Sequence, residues 1–486
     1  MSKVGSNVVS LVVSKLVAGV LVLAGYAAIF RYLAPFKAGQ FQFALSYVTL
    51  FSVAVDFGIQ QLVIKRVSEN KSEAKKYLGN FFAVEFLLAL LIYALLLGIV
   101  FVRHVDPIVF ETIAVIGLGM FINALTIPHT AIISAYEDMH LLAVVNFFDT
   151  LINVSVMALT ILLHKGIVFL AIVQALMGVM HWLVYSRIIH RYVPEPQLFK
   201  YLRGLDFTLV RQMFLAALPF GMLVGFSIVY NKIDVIILSA LRGYAETGLY
   251  TAAYKLFDFL TFFPAVVSSS LYPFFSAQMA AGNIALVKDT LQKYTKYMIG
   301  LAVPVAFGGA VLAQKLIVLI GGRQFLPGYA ALEILVFGTA ALFIYSGANS
   351  LMISQFTKYA VMVTFANIFI NSIGNLLLIP HFGFRAAAAM TVVSELTQAS
   401  FYFYFVRKRL GGFALWGNFV KPVICAALMA LAIYPLRGGS LLITLPLGVL
   451  VYAGAILVSG YIKFSDFAAI KTMLLRRGAG GAAQDA

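Results

Sequence analysis

Long apolar runs separated by short polar turns make up almost the whole chain. A helix needs about 20 mostly apolar residues to cross the hydrocarbon core of a bilayer, so the pattern predicts about fourteen membrane-spanning helices. Their expected bounds are 7–30, 40–64, 78–102, 108–134, 141–163, 166–189, 213–239, 249–278, 291–320, 328–354, 358–379, 384–406, 418–436 and 441–462. Each run is much longer than the roughly ten residues of a membrane β-strand. The predicted fold class is therefore an all-α integral membrane protein.

Composition agrees with the pattern. Hydrophobic residues make up 62% of the 486 positions and charged residues 11%, whereas soluble domains have about 45–50% and about 25%. The single cysteine, Cys425, lies in an apolar run, which excludes a framework of internal disulfides. The first apolar run lacks a small-residue cleavage site, so it is expected to be a retained span and not a removable signal peptide.

The chain has a formal net charge of +16. A basic balance can indicate a nucleic-acid partner, and the positions of the charges distinguish that possibility from a membrane topology. Lys and Arg concentrate in alternate turns, for example in 65–76 and 187–211. Under the positive-inside rule, this alternation predicts a multi-pass protein of the cell inner (plasma) membrane with both termini cytoplasmic and no nucleic-acid partner.

The two halves of the chain resemble each other. The pairs that match are Leu33 with Leu241, Gly39 with Gly248, and Phe41 with Tyr250. The offset of about 208–221 residues always covers an even number of spans, which is typical of a parallel repeat about an axis along the membrane normal. The repeat predicts two pseudo-symmetric six-helix lobes around a central lumen. The expected segments are an N-terminal lobe 1–195, a cytoplasmic linker 196–212, a C-terminal lobe 213–410, an extra helix pair 411–465 and a cytoplasmic tail 466–486.

Several spans contain ionisable residues, which are unfavourable in hydrocarbon and usually face a protein interior or a water-filled cavity. Four lie toward the cytoplasmic ends of their spans: Lys15, Asp56, Glu85 and Asp149. Six lie toward the opposite ends: Lys232, Asp234, Lys255, Asp258, Lys315 and Glu333. Glu395 is at mid-span. This layering predicts a solvated lumen with one polar gate per lobe. The alternative is structural ion pairs, of which Lys255–Asp258, spaced i, i+3, is an example.

These charges suggest two kinds of site. A phosphate or pyrophosphate in a low-dielectric lumen needs fixed cations, and the candidates for binding a substrate headgroup are Lys15, Lys232 and Lys255. Buried carboxylates can exchange protons near neutral pH, and the candidates for ion coupling or gating are Asp56, Glu85, Asp149, Asp234, Asp258 and Glu395. The chain has no GxxxxGK[ST], HExxH, CxxC or GxSxG motif, so no catalytic residue, metal site or cofactor is expected.

A series of short motifs runs in order through residues 30–400. They are Arg31-Tyr32-Leu33 with Gly39-Gln40-Phe41, Asp56-Phe57-Gly58, Gly248 to Leu256, Leu271-Tyr272-Pro273, and Pro380-His381-Phe382-Gly383 through Glu395. In order and placement they resemble the Wzx-type O-antigen and exopolysaccharide flippases of the multidrug/oligosaccharidyl-lipid/polysaccharide exporter superfamily. One departure is Phe384-Arg385-Ala386, where that family often has a small Gly-Ala pair.

The resemblance implies a carrier that flips an undecaprenyl-pyrophosphate-linked oligosaccharide from the cytoplasmic to the periplasmic leaflet by alternating access. Its expected partners are the lipid-linked oligosaccharide, the lipid bilayer, H⁺ or Na⁺ as coupling ion, and glycan-assembly proteins such as a polymerase and glycosyltransferases. One alternative is a drug or small-cation antiporter of the same superfamily. A membrane glycan polymerase or ligase is a second alternative, but the short external turns predict that the chain is not an enzyme. A non-transporting scaffold would leave the layered charges without a role.

Overall fold

The computed structural model describes residues 3–194, 196, 198–202, 204–412 and 416–462, and their side chains except those of residues 3–17, 198, 199, 219, 220, 223 and 416. This part of the chain forms fifteen α-helices and no strand. The helices are α1 Lys3–Asp56, α2 Ile59–Glu69, α3 Ala74–Val102, α4 Pro107–Ala124, α5 Ile127–Ala135, α6 Met139–Leu162, α7 Ile167–Ile188, α8 Phe207–Ser269, α9 Leu271–Ala280, α10 Ile284–Gly321, α11 Tyr329–Gln355, α12 Thr357–Phe382, α13 Phe384–Leu410, α14 Val420–Ile433 and α15 Leu441–Val458. The predicted tail 466–486 lies outside the described residues.

The helices confirm the predicted fold class. Ten helical stretches of the described residues are long and apolar enough to cross a membrane. Two of these, Ala18–Glu69 and Val224–Ala280, have 52 and 57 residues, which is enough for two crossings each. Each of the predicted spans coincides with one helix or with two successive helices. The chain is an all-α, multi-pass membrane protein.

Three predicted spans, 40–64, 108–134 and 249–278, are each divided into two α-helices, and a proline explains the break in the last two. In the fourth predicted span, the first helix, α4, ends at Ala124, and Pro128 follows four residues later. In the eighth predicted span, α8 ends at Ser269, and Pro273 again follows four residues later. A proline ring clashes with the carbonyl four residues earlier, so a helix cannot continue regularly through that point.

The two longest helices, α1 and α8, each contain one residue outside the helical conformation. Ala34 has φ 61° and ψ 166°, and Gly243 has φ 80° and ψ −179°. Ala34 precedes Pro35, and a residue before proline is disfavoured in the helical region. At Gly243 the positive φ suits glycine, which has no Cβ to clash. Each helix is therefore a helix–turn–helix, and the two turns are as far apart along the chain as Gly39 and Gly248.

Internal contacts divide the chain into two compact units that interleave along the sequence. Unit 1 comprises Met1–Ala27, Ala252–Val363 and Ala388–Ala486, and unit 2 comprises Ala28–Thr251 and Thr364–Ala387. The six-helix lobes expected from the repeat, 1–195 and 213–410, describe sequence symmetry and stay a prediction.

In unit 2, the start of α8 is anchored to α3. The Asp206 N–H donates to Asn80 Oδ1 at 2.9 Å, and the Lys76 ammonium lies 3.0 Å from Asp206 Oδ2. Asp206 Oδ1 in turn accepts the backbone N–H of Leu209 at 3.0 Å, which satisfies a donor in the first turn of α8. This N–H and the Lys76 ammonium hold the pKa of the Asp206 carboxyl below its usual range.

The repeat-related turns of α1 and α8 pack against each other within unit 2. A Cβ at Gly39 would lie 1.8 Å from the Tyr244 carbonyl oxygen, and one at Gly248 would lie 1.9 Å from the Pro35 carbonyl oxygen. Real Cβ atoms do not approach so closely, so both positions require glycine. This reciprocal arrangement, the Gly39–Gly248 contact, is what a repeat with two-fold symmetry produces.

In unit 1, the C-terminal helix pair is attached to α10. The Tyr452 hydroxyl, on α15, donates to the Gly300 carbonyl at 2.6 Å, and the Tyr461 hydroxyl donates to the Lys296 carbonyl at 2.9 Å. Cys425 and Met429 of α14 are buried in the same apolar cluster. The helix pair is therefore an integral part of this unit.

Candidate functional site

A polar cavity of about 440 Å³ lies within unit 2, between the second half of α1 and helices α4, α6 and α7. Its polar lining side chains come from all four helices: Thr49, Ser52, Asn123, Asp149, Asn153, Gln174 and His181. The lining contains no Lys or Arg among the residues that the structure describes. The cavity therefore offers one carboxylate and several neutral hydrogen-bonding groups.

Asp149 and His181 form the central pair of this cavity. His181 Nε2 lies 2.5 Å from Asp149 Oδ1, and His181 Nδ1 lies 3.3 Å from Asn123 Oδ1. About a fifth of each side chain of the pair is exposed, 18% for His181 and 19% for Asp149. The pair joins a carboxylate to an imidazole, and both side chains are partly accessible from the cavity.

Small residues bring α4 and α7 together beside this pair. A Cβ at Gly119 would lie 3.1 Å from Ala175 Cα, and one at Gly178 would lie 3.3 Å from the Gly119 carbonyl oxygen. Such contacts allow membrane helices to approach closely. Asn123 and His181 lie one turn beyond Gly119 and Gly178 on the same helices, so this packing holds them near each other.

Asp149 was predicted from the sequence, but His181 and Asn123 were not. The signal for His181 is a histidine in the middle of an otherwise apolar span, since an intramembrane ionisable residue indicates function. The apolar pattern contains no comparable signal for Asn123, whose importance depends on the packing of α4 against α7.

Lys255 lies in a small polar cluster of unit 1. Its ammonium is 3.7 Å from Asp258 Oδ2, the ion pair expected from their spacing, and 4.4 Å from the centroid of the Tyr26 ring. The Lys255 side chain is 19% exposed and that of Asp258 is 47% exposed. The aromatic face and the carboxylate both stabilise the charged amine, which remains partly accessible to a ligand.

Lys232 and Asp234 are close in sequence but have different surroundings in unit 2. Lys232 is half-buried, and its ammonium makes no ion pair or hydrogen bond with the described residues. Asp234 is 3% exposed; its carboxylate accepts the Tyr250 hydroxyl and, at 2.7 Å, the Val235 N–H. Lys232 is thus available to a ligand, whereas Asp234 connects the two halves of α8 across the turn at Gly243.

Asp56 and Glu85 also lie in unit 2. Asp56 Oδ1 accepts the Gln60 N–H at 2.9 Å, beyond a break at which Phe57 has φ 42° and Gly58 has φ 80°. The Asp-Phe-Gly motif therefore ends α1 and caps the start of α2. Glu85 is fully buried, and neither carboxyl oxygen has a hydrogen-bond partner among the described residues.

The remaining predicted residues lie in unit 1. Glu395 is 3% exposed and accepts the Tyr345 hydroxyl at 2.6 Å. Lys315 donates to the Gly438 carbonyl at 2.7 Å, which links α10 to the turn between the last two helices. The side chain of Lys15 lies outside the described residues. Across the described residues, no group of three or more His, Cys, Asp and Glu could hold a metal ion.

Unit 1 also contains an apolar cavity of about 560 Å³. Its lining comes from α1, α8, α10, α11, α14 and α15 and is almost entirely aliphatic or aromatic. The two hydroxyls in the lining are occupied: Thr444 donates to the Ser440 carbonyl and Tyr452 to Gly300. The cavity can hold a hydrocarbon chain, because almost all of its exposed lining is apolar.

One family model matches the chain. It is described as "Polysaccharide biosynthesis protein" and covers residues 4–279. A search of curated protein sequences gave no match.

Several solved structures share the fold at low identity. A lipid II flippase MurJ in an inward closed conformation has a TM-score of 0.75 at 14% identity, over 92% of this chain and 98% of that one. An inward-facing multidrug resistance MATE family transporter of the MOP superfamily has a TM-score of 0.59 at 14% identity, over 81% and 94%. The Vibrio cholerae MATE transporter VcmN in the bent form has 0.52 at 15% identity, over 83% and 97%. At these identities the likeness establishes the fold alone.

Proposed function

Because this chain belongs to the polysaccharide biosynthesis protein family, we propose that it is a flippase for a lipid-linked oligosaccharide. The substrate is an undecaprenyl-pyrophosphate-linked polysaccharide repeat unit, which moves from the cytoplasmic to the outer leaflet of the inner membrane. The mechanism is ion-coupled alternating access. The fold shared with a structure named as a lipid II flippase supports the proposal.

The observation that carries the proposal is Lys255. A partly exposed ammonium inside a membrane-spanning helix is unfavourable unless it serves a ligand or a partner. The distance from the Lys255 ammonium to Asp258 Oδ2 is 3.7 Å, which is long for an ion pair, and the Asp258 side chain is 47% exposed. An arriving anion can therefore displace this carboxylate. A pyrophosphate carries the charge that such a lysine binds. Lys232, which has no ion pair with the described residues, is the second headgroup candidate, and Lys15 stays a third.

The apolar cavity of unit 1 suits the other end of the substrate. A polyprenyl chain has no hydrogen-bonding groups, and the hydroxyls in this cavity are already satisfied within the protein. The helix pair α14–α15 supplies part of the lining. In the proposal, this cavity accommodates a segment of the lipid tail while the rest stays in the bilayer.

The first test replaces the charge of Lys255. Lys255→Gln should lower transport at least tenfold, because a charge-assisted hydrogen bond to a phosphate contributes about 1.5–3 kcal/mol. The measurement is flipping of the lipid-linked oligosaccharide by purified protein in liposomes, together with surface polysaccharide in cells that carry only the variant. Lys232→Gln tests the second lysine in the same assays.

The matched control is Lys293→Gln. Lys293 lies in the same unit and pairs with Asp289 at 2.7 Å, but its side chain is 67% exposed, and exposed pairs contribute little. This variant should transport normally. Normal transport by both Lys255→Gln and Lys232→Gln would contradict the proposed headgroup role.

We also propose that the Asp149–His181 pair couples transport to protons. Two titratable partners that share a short hydrogen bond in a water-accessible cavity can take up a proton on one side and release it on the other. The proposal predicts that Asp149→Asn and His181→Gln bind substrate normally but no longer respond to a pH gradient. Substrate-driven proton uptake by proteoliposomes measures the coupling directly.

The control for this coupling is Asp289→Asn, which removes an exposed carboxylate of α10. It should leave proton uptake unchanged. If both cavity variants keep wild-type proton uptake, the coupling site lies elsewhere. If uptake follows a Na⁺ gradient instead of a pH gradient, the pair does not carry the coupling proton.

One observation favours the second candidate function, export of a drug or small cation. The cavity of unit 2 contains a carboxylate and no Lys or Arg in its described lining, which suits a positively charged ligand. Cells that express the protein would then extrude a cationic dye and resist it, and Asp149→Asn would abolish both effects. Dye export that is absent while oligosaccharide flipping is present eliminates this candidate.

A further inference from the structure

A second polar cavity, of about 530 Å³, lies within unit 1 at the junction of α8, α9 and α11. Most of its lining residues carry a hydroxyl or an amide, and no described lining residue is charged. The side chains that matter are Ser268, Ser269, Tyr272, Ser346, Asn349 and Ser350. We call this the hydroxyl pocket.

Two polar groups of the hydroxyl pocket are free to bind a ligand. The Asn349 amide and the Tyr272 hydroxyl make no hydrogen bond with any residue that the structure describes. The Tyr272 side chain is also 45% exposed. An unsatisfied amide is unfavourable in hydrocarbon, so Asn349 faces water or a polar ligand. Together the two residues offer donors, acceptors and an aromatic face.

The serines of the hydroxyl pocket offer acceptors. Ser269 Oγ donates to the Val266 carbonyl at 2.7 Å, and Ser350 Oγ donates to the Ser268 carbonyl at 2.9 Å. A hydroxyl has one hydrogen and two lone pairs, so each oxygen keeps acceptor capacity after this bond. The pocket is thus lined with fixed acceptors that suit a ligand with many hydroxyl donors.

The pocket is held rigidly. The hydrogen bond from Ser350 to Ser268 joins α11 to the end of α8. On α11, the Tyr345 hydroxyl donates to the buried Glu395 carboxylate at 2.6 Å, and Ser346 Oγ hydrogen-bonds the Tyr294 hydroxyl at 2.7 Å. Rigid placement of a few polar groups is what gives a binding site its specificity.

From these features we infer that the hydroxyl pocket binds an uncharged sugar ring of the lipid-linked glycan. A sugar ring presents many hydroxyl donors and an apolar face, which match the serine acceptors and the Tyr272 ring. A charged sugar would find no ion-pair partner in the described lining. The inference rests on the proposed flippase function and specifies where the glycan is held.

The position of the pocket relative to Lys255 fits one substrate molecule. Lys255 and Ser269 are on the same helix, about 21 Å apart along its axis at 1.5 Å per residue. A pyrophosphate at Lys255 would therefore leave room for the first sugars to extend along α8 toward the pocket. In the orientation expected from the positive-inside rule, this end of α8 is cytoplasmic, where the substrate is loaded.

The test compares two probes on the purified full-length protein in nanodiscs. One probe is the lipid-linked oligosaccharide extracted from cells that lack this protein, and the other is undecaprenyl pyrophosphate without sugar. Asn349→Leu combined with Tyr272→Phe should raise Kd for the glycan-bearing lipid about tenfold, because two neutral hydrogen bonds to the sugar are lost. Kd for undecaprenyl pyrophosphate should not change.

Tyr272→Phe alone keeps the ring and provides a variant that folds, since Tyr272 is 45% exposed and its hydroxyl has no hydrogen-bond partner among the described residues. Tyr404→Phe, which removes another exposed tyrosine hydroxyl of unit 1, is the matched control and should bind both probes normally. If the double variant loses affinity for both probes equally, or for neither, the inference that this pocket binds a sugar is overturned. If the wild-type protein binds neither probe, the flippase proposal itself fails. Weak binding of both probes by Lys255→Gln alone supports the headgroup role independently of the pocket.

Discussion

The Asp56 carboxylate accepts the Gln60 N–H, which has no hydrogen-bond partner inside α2. Between these two residues the backbone passes through Phe57 and Gly58, which both have positive φ. At the residue scale, two kinds of charge within the spans can be distinguished. Some, such as Asp56 and Asp234, satisfy neighbouring groups and hold the fold together. Others, such as Lys255 and Asp149, are paired but partly exposed, which leaves them able to exchange partners with a ligand or a proton.

The break at Gly58 can be tested directly. Gly58→Ala should destabilise the protein by ~1–2 kcal/mol, because a Cβ is unfavourable in the left-handed conformation that this residue adopts at φ 80°. The measurement is the apparent Tm of purified protein in detergent. Gly98→Ala is the control, since Gly98 lies within α3 with nothing within 4 Å of an added Cβ, and alanine favours a helix. A Tm for Gly58→Ala at or above wild type would contradict this account.

The sequence indicates which residues carry charge inside the spans, because hydropathy and charge are local properties. It does not indicate their partners. Tyr26 lies above Lys255 and Tyr250 donates to Asp234, and these pairings depend on how helices pack. The i, i+3 spacing of Lys255 and Asp258 was the exception, since both residues lie on one face of one helix.

At the element scale, α1 and α8 share a design. Each is a pair of spans joined by a turn of one non-helical residue, Ala34 or Gly243, followed five residues later by a glycine that the partner turn contacts. The similarity between Gly39 and Gly248 in sequence thus corresponds to a contact in unit 2. The resemblance between the two halves did not predict that these turns would meet; the contact is shown by the structure.

The Gly39–Gly248 contact makes a specific prediction about additivity. Gly39→Ala and Gly248→Ala should each destabilise the protein by about 1–3 kcal/mol, because the new Cβ meets backbone that cannot rotate away. Since one small separation of the turns relieves both clashes, the double variant should be less destabilised than the sum of the single variants. Apparent Tm values in detergent measure all three.

The control for this series is Gly454→Ala, in α15, where nothing lies within 4 Å of an added Cβ. Its Tm should equal or exceed that of the wild type. Strict additivity of the two turn variants would mean that the clashes are relieved separately, in disagreement with the reciprocal contact.

The bounds of the spans follow from apolar runs of sufficient length, which is why each span has its helix. The breaks within spans depend on single residues and not on hydropathy, so the apolar runs alone do not show them. Pro128 and Pro273 are visible signals for two of them. The break at Gly58 has a weaker signal, since a glycine after an acidic residue also occurs in regular helices.

At the scale of the whole molecule, the compact units and the sequence repeat describe different properties. The units group segments by contact, and α1, α8, α12 and α13 each contribute to both. The repeat groups segments by origin and symmetry.

The orientation in the membrane can be tested with single cysteines. After Cys425→Ala, a Ser72→Cys variant should react with a membrane-impermeant thiol reagent only when the cytoplasmic side is accessible. A Lys165→Cys variant should react in intact cells whose outer envelope is permeable to the reagent, because three spans separate the two positions. Both residues are exposed.

If Ser72→Cys reacts in intact cells and Lys165→Cys reacts only after lysis, the orientation is the opposite of the predicted one. Reaction of both from the same side would contradict the number of spans between them. The cysteine-free background itself should react from neither side, which controls for labelling at other residues.

The Gly39–Gly248 contact has one more consequence. It consists of main-chain carbonyls against glycines, so it contains no group whose charge changes with acidity or is screened by salt. Neither the salt concentration nor the proton concentration can strengthen or loosen it directly. Any dependence of the stability of the protein on pH or ionic strength must therefore arise at other groups, and not at this contact.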